Sequence, residues 1–171
     1  MNAVVYIHGQ GGSASESEHY KTLFPGCEVI GLDYKTFTPR ETGKEIHTFV
    51  ENLKPRYKNI ILIANSIGAF FSLHADLNSL VQKAYFISPI VSLEAFVCDQ
   101  PEWLNLGNPE WLIPTAILYG SHDNMTSLET INNFAKKHGA KLTVMDGGEH
   151  WFHTEEQMRY LDDWIRKSLC L

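Results

Sequence analysis

Ser66 stands in Ala64-Asn65-Ser66-Ile67-Gly68, with small residues two before and two after it, where an apolar run gives way to helical spacing. A serine held on so sharp a turn needs small neighbours at those places, because the backbone is crowded against the adjoining elements. Its hydroxyl would project near the positive end of the following helix. The chemistry open to such a group is nucleophilic attack. At neutral pH that requires a base to take the hydroxyl proton and a carboxylate to orient and stabilise the base. Asp123, in Gly120-Ser121-His122-Asp123, and His150, in Asp146-Gly147-Gly148-Glu149-His150, have the right chemistry. His153 and His122 are rival bases. His153 adjoins Thr154, the expected N-cap of the last helix, and His122 adjoins Asp123, where extended neighbours point apart. Glu149, His150 and His153 lack HExxH or Cys/His spacing, so no metal site is expected. Taken singly each loop is ordinary, since turns are rich in Gly, Ser, Asp and His, and a serine also serves as a plain N-cap.

The elements that must position these residues are legible as short apolar runs: Ala3–Ile7, Glu28–Leu32, Asn59–Ala64, Lys83–Ile87, Thr115–Tyr119 and Lys141–Met145. Most lack an alternating polar face, which predicts strands buried on both sides in a parallel sheet. Helical segments lie between them. Thr38-Pro39-Arg40-Glu41 offers an N-cap, a proline at the first helical position and a capping-box glutamate. Ile46, Phe49, Val50 and Leu53 then share one face before Pro55. Thr126 with Glu129, and Thr154 with Gln157, read as two further capping boxes. A fourth possible helix lies around Leu93–Val97. Alternation of this kind predicts an α/β fold, a three-layer sandwich around one doubly wound, mainly parallel sheet of about six strands. Ligands gather beyond the carboxyl ends of such strands, where Ser66, Asp123 and His150 all fall.

Composition narrows the function classes. The 171 residues are 44% hydrophobic and 20% charged, which fits one domain over 1–171 with its own core. A net charge of -6 gives nucleic acid and anionic lipid no general reason to bind. Cys27, Cys98 and Cys170 are widely spaced and fit neither a disulfide framework nor a thiolate metal site. The longest apolar runs fall far short of a bilayer span, and the opening residues are expected to carry no secretory or transit signal. The expected setting is cytoplasmic, as a monomer or small homo-oligomer acting on a small molecule.

Around Ser66, Asp123 and His150 the chain resembles the α/β-hydrolase family. Its nucleophile elbow reads G-x-S-x-G, with Ala64 replacing the first glycine here. In that family the partners follow in the order serine, acid, histidine, as Ser66, Asp123 and His150 do. The resemblance implies a serine hydrolase, esterase-like, that forms an acyl-enzyme from a small carboxylic ester or thioester and needs no cofactor. It also implies an oxyanion hole made by the amides of Ile67 and Gln10, with Gly11 as the one-residue alternative, and gives His8 a structural role in the same loop. Larger relatives insert a lid domain where this chain has only the lid-like segment 89–114, which implies an open or lightly covered site. Trp103, Trp111, Phe70, Phe71 and Trp151 are either acyl-pocket or core residues.

A rival fingerprint overlaps the first loop. Gly9-Gln10-Gly11-Gly12-Ser13-Ala14 fits G-x-G-x-x-A, and Asp33 follows Gly9 by 24 residues, as in a dinucleotide-binding unit. Glu16 and Glu18 would then repel a pyrophosphate from the first turn of the following helix. A binding protein that keeps the hydrolase fold without turnover is a third reading.

Overall fold

Side chains alternate across the strands, and in this chain both faces are apolar. Along the first strand Ala3, Val5 and Ile7 join one buried cluster, while Val4 and Tyr6 join the other. A strand buried on both faces belongs inside a parallel sheet covered by helices, as the apolar runs predict. The computed structural model describes residues 1–92, 103 and 106–169. Among them are β1 (Asn2–Ile7), a 3₁₀ segment (Ala14–Tyr20), β2 (Cys27–Leu32), α1 (Pro39–Leu53), β3 (Asn59–Asn65) and α2 (Ile67–Leu73). There follow β4 (Lys83–Ile87), β5 (Thr115–Gly120), α3 (Leu128–His138), β6 (Lys141–Met145) and α4 (Glu155–Leu169).

The six strands run in the order β2-β1-β3-β4-β5-β6, and every pair is parallel. The sheet is wound in both directions from β1, so β1 and β3 flank the point where the order reverses. Their register pairs Ile7 with Ala64, which brings the loops after both strands to the same level. Ile46, Phe71 and Ile131 carry α1, α2 and α3 into the cluster on one face. On the other, Tyr20, Leu23 and Phe24 pack with Leu161, Trp164 and Ile165 of α4.

Local signals account for most helix starts. The Thr38 hydroxyl accepts from Glu41 N–H at 3.3 Å, and the Thr154 hydroxyl accepts from Gln157 N–H at 3.2 Å. The return arm of the first box differs from expectation, because Thr38 N–H donates to the Thr42 hydroxyl at 3.1 Å rather than to Glu41. The cap of α3 also moves by one residue. Ser127, not Thr126, accepts from Thr130 N–H, while Thr126 is buried in the acid loop. After β1, where the dinucleotide reading requires a helix, the chain forms a 3₁₀ segment whose first amide, Ala14 N–H, donates to Asp33 at 2.6 Å.

The expected helix at Leu93–Val97 lies outside the described residues. In the same segment Trp103, Trp111 and Ile113 are buried with the α1, α2 and α3 cluster. Trp111 Nε1–H donates to the Thr115 hydroxyl at 2.8 Å, and Asn78 holds Glu110 and Leu112 by their backbones. Phe70 and Phe71 pack with Trp103. Among the described residues no helix is long and apolar enough to cross a membrane.

Candidate active site

Ser66 joins β3 to α2 with φ 54° and ψ -122°, a left-handed region that a residue with a Cβ occupies only under constraint. The constraint is visible in its backbone. Ser66 N–H donates to Ile87 O at 3.0 Å, and its carbonyl accepts from Ala69 at 3.1 Å and Ile90 at 3.0 Å. The following turn passes so close to β1 that a Cβ on Gly68 would lie 2.6 Å from His8 O and 2.7 Å from Ile7 O. Only glycine fits there. Ala64, buried at the other flank of the turn, shows that the first small residue of the motif tolerates one methyl group.

The loops after β5 and β6 are joined to each other before they reach Ser66. A Cβ on Gly120 would lie 2.2 Å from Gly148 O, so the two backbones meet at a contact that excludes any side chain. Ser121 N–H donates to Met145 O at 2.9 Å, and His122 N–H to Gly148 O at 2.8 Å. The Ser121 hydroxyl in turn accepts from Gly147 N–H at 2.7 Å. Tyr119 fixes the far side of the acid loop by donating its hydroxyl to Thr126 O at 2.5 Å.

This framework brings Ser66, Asp123 and His150 into one line. Asp123 Oδ1 accepts from the amides of Met125 at 2.8 Å and Thr126 at 3.2 Å, leaving Oδ2 for His150 Nδ1–H at 2.8 Å. A carboxylate accepts only, so the ring proton belongs on Nδ1 and Nε2 is left to accept. Ser66 Oγ–H donates to it at 2.8 Å. The Asp123 side chain is 1% exposed and that of His150 20%, which shields the acid and leaves the base reachable. His153 takes no part. Its Nδ1 meets Trp151 O at 2.8 Å and Glu149 at 3.5 Å, and its ring stacks on Trp151. His122 is exposed.

Ser66 and His150 line a cleft of about 690 Å³ whose other walls include Gln10, Asn65, Tyr6, Glu16, Tyr20 and Trp151. None of the described residues of 89–114 lines it. Of the five aromatic candidates, Trp151 alone faces this cleft; Trp103, Trp111, Phe70 and Phe71 belong to the core. Gln10 and Gly11 sit on the loop after β1, beside the start of α2 where the Ile67 amide has no intrahelical acceptor. His8 is buried behind that loop, its ring stacked on Tyr34 and Nδ1 against Gly9 O at 2.7 Å. Asp33, the acid of the dinucleotide fingerprint, is occupied by Ala14 N–H.

Sequence reasoning placed Glu16 in the first turn after the glycine-rich loop, where it lies, and missed its partner Tyr6. The Tyr6 hydroxyl donates to Glu16 Oε1 at 2.6 Å within the cleft. Burial, then Tyr20 and Glu16, push the Tyr6 phenol far above its ordinary range, with a hydrogen bond from Asn65 working the other way. The available signal was the alternation of β1, which places Tyr6 on the face opposite Val5 and Ile7.

No family model matches the chain. Over 80 residues it is 34% identical to the "Putative esterase/lipase 3" of Mycoplasma genitalium, an alignment covering 44% of this chain and 28% of that protein. Est1E of Butyrivibrio proteoclasticus, solved with ferulic acid bound, superposes with a TM-score of 0.79 at 14% identity, covering 99% of this chain and 88% of that one. The "putative hydrolase of the alpha/beta superfamily" of Xanthomonas campestris gives a TM-score of 0.74 at 12% identity, covering 99% and 98%. Together with the all-parallel six-stranded sheet and the strained serine turn, these likenesses establish that the chain has the α/β-hydrolase fold.

Proposed function

We propose that this chain is a serine hydrolase that cleaves a small carboxylic ester or thioester through an acyl-enzyme intermediate. The observation that carries the reading is the unbroken relay from Asp123 through His150 to Ser66, with both links at 2.8 Å, opening on a cleft. The esterase names of the relatives point to the same bond. In this reading His150 Nε2 takes the Ser66 proton as Oγ attacks the acyl carbon, and Asp123 stabilises the imidazolium. The amides of Ile67 and Gln10 receive the negative charge on the carbonyl oxygen. His150 then returns the proton to the departing alcohol or thiol, and water releases the acyl group by the same steps in reverse.

A fluorophosphonate probe tests the proposal directly. The wild type is expected to form an adduct that peptide mapping assigns to Ser66, and Ser66→Ala is expected to lose both adduct and ester turnover. Folded wild-type protein without a Ser66 adduct would overturn the reading.

A further inference from the structure

The cleft beside Ser66 has a marked charge bias. Among its described lining residues Glu16 is the one carboxylate, and there is no lysine or arginine. Both Glu16 oxygens lie over Gly12, 2.7 and 3.0 Å from where a Cβ would stand. One oxygen accepts from Tyr6, which fixes the carboxylate while leaving acceptor positions open to the cleft. Tyr6 and Tyr20 are buried in the core cluster, stacked on each other with centroids 5.3 Å apart. Trp151 shares the cleft wall and is 69% exposed, with one ring face against His153. His19, the neighbouring ionisable group, is paired with Asp162 at 2.7 Å, so a positive charge there would be offset.

A carboxylate that shares a cleft with an exposed indole attracts cations and repels anions. We propose that this cleft selects esters carrying an ammonium group, which Glu16 and the exposed indole of Trp151 receive while Ser66 meets the acyl carbon. The inference rests on the serine-hydrolase reading and sharpens it, since phosphate-bearing thioesters would bring negative charge toward Glu16. The ammonium can arrive on the alcohol arm or on the acyl arm, and the test separates the two.

Two matched pairs are compared by kcat/KM at low salt: choline butyrate against 3,3-dimethylbutyl butyrate, and phenyl 6-aminohexanoate against phenyl heptanoate. In at least one pair the cationic ester is expected to be favoured roughly fivefold or more, the scale of a partly solvated ion pair plus a cation–π contact. Glu16→Gln keeps an acceptor for Tyr6 and is expected to collapse that ratio, as is raising the salt to screen the charge. Ser66 labelling in wild type and variant is followed in parallel. Labelling with no preference for either cationic ester, or a preference that survives Glu16→Gln, overturns this inference and leaves the hydrolase reading standing. Loss of wild-type labelling together with turnover of all four esters overturns both.

Discussion

Asp123 divides its two oxygens between two tasks: one is held by the amides of Met125 and Thr126, and the other fixes the His150 tautomer. An asparagine there would keep the shape but offer His150 an amide that permits the wrong ring nitrogen to carry the proton. Asp123→Asn is expected to lower ester turnover by roughly 10³- to 10⁴-fold with the circular dichroism spectrum unchanged. A loss of less than tenfold would remove Asp123 from the proposed mechanism. At this scale the sequence was unusually readable, because Ser66, Asp123 and His150 each sit in a short loop whose glycines and small residues are visible locally. Glu16 was not, for it gains its place only when the 3₁₀ turn folds back on Tyr6, ten residues earlier. Read along the chain it was a charge that would repel a pyrophosphate from the glycine-rich loop, with no partner in view.

At the scale of elements, helices and strands were legible where hydrophobic period and capping agreed, and boundaries slipped where two hydroxyl residues stood side by side. Thr126 and Ser127 are equivalent as caps on paper; Tyr119 decides between them by binding the Thr126 carbonyl and drawing it inward. The C-terminus of α2 carries a pH dependence of its own. His74 lies against Phe70 with ring centroids 4.8 Å apart, and burial lowers its pKa below the ordinary 6.5. The unfolded chain therefore binds a proton that the folded one resists, so the folded state loses stability as pH falls through about 6.5. His74→Gln removes this contribution, and its urea midpoint is expected to fall less than that of the wild type between pH 7.5 and 5.5. Equal losses would assign the acid sensitivity to other groups.

For the whole molecule, the double winding of the sheet was predictable from alternation, whereas the strand order and the destination of Trp103 and Trp111 were not. Burial of an aromatic ring looks the same in a sequence whether it lines a cleft or seals a core, and the distinction belongs to tertiary contacts. Strand order has a further consequence. β3, which leads to Ser66, has partners on both sides, while β6, which leads to His150, hydrogen-bonds only to β5. β6 is also the more solvent-exposed of the two, with Val144 38% exposed. Edge elements with few buried contacts open before the centre of a fold does. On gradual heating, esterase activity is expected to disappear several degrees below the calorimetric midpoint, with amides of β6 exchanging hydrogen earlier than those of β3. Coincident curves would mean that the edge strand and the centre melt as one unit. If they separate, the protein carries a thermal fuse: the histidine arm lets go first, the core persists, and cooling restores the relay without refolding the chain.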